Sequence, residues 1–246
     1  MRAERDGGDE PGDGAEYGVD AVVADRVVGG EMRSENGRLL AFSDAVFAIV
    51  ITLLVLDLRA PEAPPGELAP ALLDQWPAYL AYVTSYLLIA VTWYNHKGTF
   101  RQIHRSDPLL HVTNLGVLFT TALLPFATAV VSRSLRHGDQ ADERISTAIF
   151  GVVGVLISIS WLNLYHHVVR NPRLLRPEAA LRRFRLERGR GIFGVVAFGT
   201  AGLVGFLGSP PVALGIYLLL PVVFAVSATT VGELHRLRRR GSPAER

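Results

Sequence analysis

Residues 38–58 run Arg-Leu-Leu-Ala-Phe-Ser-Asp-Ala-Val-Phe-Ala-Ile-Val-Ile-Thr-Leu-Leu-Val-Leu-Asp-Leu. The run is long enough to cross a bilayer as a helix, yet it carries Ser43 and Asp44 near its start. A carboxylate inside a spanning helix is costly in lipid. It therefore faces protein or water, and marks either an ion path or a network that holds helices together.

Five further apolar segments follow, at residues 76–95, 109–131, 145–169, 191–208 and 211–232, each close to the length a bilayer demands. The pattern predicts an all-α membrane protein with six transmembrane helices. Six crossings of a 246-residue chain leave short loops and two tails, with no room for a soluble catalytic domain. Residues 1–34, rich in Gly, Asp and Glu, read as a disordered amino-terminal tail, residues 35–234 as the helical domain, and residues 235–246 as a basic carboxyl-terminal tail. No signal peptide is expected, because no short apolar stretch with a small-residue cleavage site precedes the first helix, and Met32 is a second candidate start. Residues 60–70, with four Pro, read as an extended loop. The chain has no Cys, hence no disulfide, thiolate metal site or thiol nucleophile.

The formal net charge of +2 conceals a segregation. With the amino terminus inside, the inner segments hold 21 of the 25 basic residues and the outer loops only Arg59, Arg133, Arg136 and Arg144. The asymmetry predicts a multi-pass protein of the cell membrane with both termini cytoplasmic. Basic runs that flank spanning helices serve topology and lipid headgroups, so membrane lipids are expected partners and nucleic acid is not.

At 100° per residue, Ile49, Thr52, Leu53 and Leu56 share one stripe of the first helix, with Val50 off it. Such a stripe can face lipid, a neighbouring helix or a pore. Phe42, Ser43, Asp44 and Phe47 lie in the first turns, where the helix dipole favours a carboxylate and Ser43 can cap local amides. In the second helix Trp93, His96 and Phe100 sit at i, i+3 and i+7, which puts an indole donor and an imidazole on one face at the depth of Asp44. Asn114, in the third helix, comes slightly deeper. Arg38, Ser43, Asp44, Trp93, His96 and Asn114 are thus candidates for a network that locks helix one against helices two and three.

Arg38 with Phe42-Ser43-Asp44, together with Trp93, His96, Asn114 and the Leu124-Pro125-Phe126 and Thr128 at the end of helix three, resembles the transmembrane protein 175 family of potassium channels in its bacterial and archaeal branch. The likeness is specific over residues 38–128. It implies a potassium-permeable channel whose pore is lined by helix one. Members of that branch are similar in carrying one six-helix repeat and assembling as tetramers; one Phe-Ser-Asp occurs here, so the resemblance implies a homotetramer. It also implies that Ile49 forms the first apolar filter layer, with Thr52 or Leu53 and then Leu56 towards the outer mouth, and that Arg38, Phe42, Ser43, Asp44, Trp93, His96 and Asn114 hold helix one in place. Potassium would then be the permeant ion, with no cofactor and no resident metal.

An apolar ring selects by the cost of stripping water from the ion, which is lower for potassium than for sodium, and it can also dewet and act as a gate. Asp57 at the far end of helix one could concentrate cations, or be a solvated helix-end carboxylate. Ala197, Ala201 and Gly205, with Gly199, Gly202 and Gly208 nearby, form a small-residue ladder suited to close helix packing. Asn163, His166 and His167 near the inner end of helix four read as interfacial. A proton- or ion-coupled transporter using Asp44 as the titrating carrier is the alternative; it calls for internal repeats and helices broken at mid-membrane, and Pro210, Pro211 and Pro221 leave room for one interruption. His-Glu-x-x-His and Gly-x-Ser-x-Gly are both missing, so no enzymatic activity is expected.

Overall fold

The apolar segments fold as helices because every backbone amide in lipid must be satisfied within its own segment. The computed structural model describes residues 36–176 and 181–240, with side chains described to residue 227, His137 excepted. The expected tail at residues 1–34 lies outside the described residues. In chain order the elements are α1 (Asn36–Asp57, whose last turn, Leu54–Asp57, is 3-10), α2 (Leu68–Asp74), α3 (Trp76–Phe100), α4 (Pro108–Ala122), α5 (Leu124–His137), α6 (Gln140–Arg170), α7 (Leu181–Leu207) and α8 (Pro210–Arg240).

Among the described residues five stretches are long and apolar enough to cross a membrane: Asn36–Asp57, Pro108–Arg136, Gln140–Arg170, Leu181–Leu207 and Pro210–Ser227. The sixth expected crossing, α3, does not meet that measure. At 25 residues it is about 37 Å long, which is ample, but aromatic and hydroxyl side chains dilute its apolar content. Its polar groups Thr84, Ser85, Thr92, His96 and Thr99 are buried. They face α5, α8 and the other helices that enclose α3, and Ser85 Oγ meets Thr128 Oγ1 of α5 at 2.6 Å.

The helices also run past the expected bounds. The segment expected at 191–208 begins at Leu181, because α7 continues through an arginine-rich stretch that hydropathy alone excludes. Helix α8 extends to Arg240, beyond the expected domain limit at 234, and contains Pro221 in its interior. The Pro-rich loop ends at Leu68, where the short α2 starts. The third expected helix is interrupted at Leu123, between α4 and α5. Pro125 has no amide hydrogen, so the ladder cannot run on regularly, and the Leu123 amide donates to the Thr120 carbonyl at 3.3 Å instead. Since α5 continues to His137, this break lies mid-span and not near the outer end.

The most extensive helix contact is α6 against α7. A Cβ on Gly151 would stand 2.8 Å from the Gly202 Cα, and one on Gly154 would stand 2.3 Å from the Phe198 ring. Backbones meet there because nothing intervenes. Of the expected ladder, Ala201, Gly202 and Gly205 are buried with Gly194, whereas Ala197 is half-buried and Gly199 makes only ordinary contact with Val155 at 3.7 Å. The core then continues through Phe198, Tyr217 and Phe150 to Leu88, Val50 and Leu54, joining α1 to the rest.

Candidate functional site at the foot of helix α1

Helix α1 turns one stripe inward. Ser43, Phe47, Val50 and Leu54, at i, i+4, i+7 and i+11, are all buried, so this is the face that packs on α3, α4 and α5. At its lower end the packing is polar. The Ser43 hydroxyl donates to the Leu39 carbonyl at 2.8 Å, and in turn accepts from Asn114 Nδ2 of α4 at 3.0 Å. Asn114 Oδ1 accepts from His96 Nε2 of α3 at 2.7 Å. Because the Asn114 amide nitrogen is already donating to Ser43, the hydrogen bond to His96 requires a proton on Nε2.

Ser43, His96 and Asn114 have no solvent exposure, so the chain joins α1, α4 and α3 inside the bundle. His96 is further held by rings: Phe100 stacks on it at 4.3 Å between centroids, and Phe47 and Trp161 meet it edge-on at 5.2 and 6.1 Å. Its Nδ1 is buried without a hydrogen-bond partner. An aromatic cage on all sides leaves that nitrogen nothing polar to reach.

Asp44 belongs to a second, separate contact. Trp93 Nε1 donates to Asp44 Oδ1 at 2.8 Å, tying α1 to α3 on the outer side of the first chain, and the Lys97 ammonium lies 5.0 Å over the Trp93 ring. The expected single network is thus two. Arg38 and Phe42 join neither: both are exposed, Phe42 by 53%, and Arg38 makes no ion pair or side-chain hydrogen bond among the described residues. At 100° per residue Phe42 falls on the side of α1 away from Ser43, which is why the motif's phenylalanine and serine part company.

That outward side holds the proposed filter residues. Ile49 is 59% exposed, Leu53 43% and Leu56 67%, and Thr52 beside them turns its hydroxyl back to the Ile49 carbonyl at 2.8 Å. An aliphatic stripe therefore runs up α1 with no covering element among the described residues. The Thr52 hydroxyl is spent on the backbone, so the stripe presents no free donor there.

A third polar group at the same end escaped the sequence. Asp107, just before α4, accepts from the Leu110 amide at 2.7 Å and meets His167 Nε2 of α6 at 2.9 and 3.0 Å, while Asn171 Nδ2 contacts His167 Nδ1 at 3.2 Å. Burial pushes the Asp107 carboxyl up, but the Leu110 amide and the His167 imidazole outweigh it and hold the carboxyl below its ordinary value. An Asp-Pro pair at a helix start is a readable N-cap signal; the partner on α6, 60 residues away, is not. Nearby, the Ile103–Leu175 bridge and the Asn36 amide donating to the His104 carbonyl at 2.8 Å tie the same loops together.

Comparison with known proteins follows this geometry. The family model described as endosomal/lysosomal potassium channel TMEM175 matches residues 38–125. A potassium channel of Streptomyces collinus is 36% identical over 199 residues, which is 80% of this chain and 95% of that protein. The chain belongs to the TMEM175 family. The crystal structure of a lysosomal potassium-selective channel TMEM175 homologue from Chamaesiphon minutus superposes with a TM-score of 0.69 at 31% identity, covering 79% of this chain and 98% of that one. The mouse endosomal/lysosomal proton channel TMEM175 is 29% identical over 141 residues, 53% of this chain and 28% of the mouse protein. The TMEM175 match contains α1, α3 and α4 with every member of both polar contacts. It ends before α6, which supplies Trp161 to the His96 cage and His167 to the Asp107 pair. As a member of an ion-channel family with several apolar helices, the chain is a membrane protein, not a member of an enzyme family.

Proposed function

We propose that this chain is the subunit of a potassium-permeable channel, a homotetramer in which the exposed stripe of α1 faces the fourfold axis and forms the narrow part of the pore. One observation carries the reading: among the described residues Ser43, Phe47, Val50 and Leu54 form the buried side of α1, with Leu39, Leu40, Val46 and Ile51 partly covered beside them, while Ile49, Leu53 and Leu56 lie open on the other side. A ring of four such stripes exposes no carbonyls, so it discriminates through the cost of removing water from the ion. The Chamaesiphon relative described as potassium-selective and the Streptomyces potassium channel support potassium as the ion. On this reading α3 is the sixth crossing and the arginine-rich end, with both termini, is cytoplasmic. Ser43, Asn114, His96 and the Asp44–Trp93 pair set the position of α1 without touching the ion.

Ile49→Asn tests this. Four amides at the constriction can ligate a partly dehydrated sodium ion, so the variant should conduct at least as well as the parent and lose preference for potassium. Ala48→Asn, also at an exposed position but about 100° around the helix, should not. Bi-ionic reversal potentials in planar bilayers read both; unchanged selectivity in Ile49→Asn, or equal loss in Ala48→Asn, removes Ile49 from the filter. A coupled transporter with Asp44 as carrier has one observation in its favour, the mid-span break at Leu123. Potassium flux into liposomes that follows voltage and ignores an imposed proton gradient decides for the channel; flux that requires the gradient decides for the transporter.

A further inference from the structure

At the arginine-rich end of the bundle three carboxylates have side-chain partners. Asp107 is met by His167, Glu187 by Arg190 Nη1 at 2.6 Å, and Asp44 by Trp93. Arg182 and Arg185, in the first turns of α7, are exposed and have no ion pair among the described residues. They stand at i and i+3, neighbours on one side of the helix, close enough for both guanidinium groups to reach one phosphate.

The same side of α7 changes character further along. Leu186, Ile192, Phe193 and Val196 are exposed and fall within about 100° of Arg182 around the helix. Leu186 adjoins the cations, and between it and Ile192 lies Gly189, exposed, where even a Cβ would meet nothing within 4 Å. From Arg185 to Ile192 the axis rises about 10 Å. Among the described residues this face thus offers two cations without an ion pair, a smooth gap and then an aliphatic and aromatic surface, in the order of an anionic phospholipid's phosphate, glycerol and acyl chains. We propose that this face of α7 binds an anionic membrane phospholipid, its phosphate held by Arg182 and Arg185 and its acyl chains lying on Ile192, Phe193 and Val196. Charge complementarity selects the occupant: a phospholipid of net negative charge gains from both guanidinium groups, whereas a zwitterionic one sets its own ammonium against them. Binding here does not depend on which ion the assembly passes.

Native mass spectrometry of the full chain in neutral detergent, titrated with phosphatidylglycerol or phosphatidylcholine, tests it. Arg182→Gln/Arg185→Gln should weaken phosphatidylglycerol binding about thirtyfold, the weight of two cations near an anionic surface, and weaken binding of phosphatidylcholine, whose ammonium offsets its phosphate, far less. Arg105→Gln/Arg176→Gln removes the same charge from exposed loop positions at the same end, whose backbones are held by Leu174 and Gln102, and should weaken it no more than a few-fold. Equal loss in the two double variants would mean a diffuse basic field and no site, and would overturn the proposal. So would no loss in either, or a change of oligomeric mass in the α7 variant without lipid, which would mean that a second copy covers this face.

Discussion

The Ser43–Asn114–His96 chain joins three helices through one amide, and replacing that amide exposes how much of the join is chemical. Asn114→Leu keeps the volume close to the original, so the cavity contribution is small and the loss falls on the partners. They do not lose equally. Ser43 still donates to the Leu39 carbonyl at 2.8 Å, whereas His96, whose Nδ1 already lacks a partner, would have neither nitrogen bonded in a fully buried site. A buried donor left unsatisfied costs about 1–3 kcal/mol, so Asn114→Leu should destabilise by that much, nearly all of it from the imidazole. His96→Leu alone should cost a similar amount by orphaning Asn114 Oδ1 and disturbing the Phe47, Phe100 and Trp161 contacts. The double variant removes both polar groups, and should be more stable than the two single losses predict by about 1–3 kcal/mol of coupling. Denaturant unfolding of the purified chain in micelles, followed by tryptophan fluorescence, measures all four corners of the cycle. Additive losses, with no coupling beyond about 0.5 kcal/mol, would mean that the two side chains do not depend on one another and would refute the account.

At the α6–α7 contact, Gly154→Ala drives a methyl to 2.3 Å from the Phe198 ring and should cost about 1–3 kcal/mol, while Gly199→Ala, 3.7 Å from Val155, should be close to neutral; thermal unfolding in detergent compares them. Because the folded Asp107 carboxyl sits below its ordinary value, its stabilising contribution is complete above the ordinary carboxylate range and fades as pH falls through the depressed value. The stability difference between the parent and Asp107→Asn should therefore be largest above about pH 4 and shrink at lower pH; a difference that grows on acidification would contradict the pairing with His167.

Val50 illustrates what one dimension withholds. Periodicity places it off the Ile49 stripe, which makes it look like a neutral control, but the bundle buries it to 3% exposure, so an Asn there would test folding and not ion selection. Angles around a helix are a property of the chain; which angle meets a neighbour depends on helices distant in sequence. The sequence by itself determined the membrane class, the apolar segments, the charge asymmetry and the depth shared by Ser43, Asp44, Trp93, His96 and Asn114, because helical rise and the cost of unpaired backbone in lipid act locally. It also carried the family, through residues that lie close together along α1, α3 and α4. Only the tertiary structure decided that Asn114 reaches both Ser43 and His96 while Asp44 turns to Trp93, that Arg38 and Phe42 face away, and that Trp161 meets the His96 ring and His167 meets Asp107 across 60 or more residues. Each of those choices depends on the rotation and approach of packed helices, as at the α6–α7 contact, where the missing side chains of Gly151, Gly154 and Gly202 let two helices meet at backbone distance.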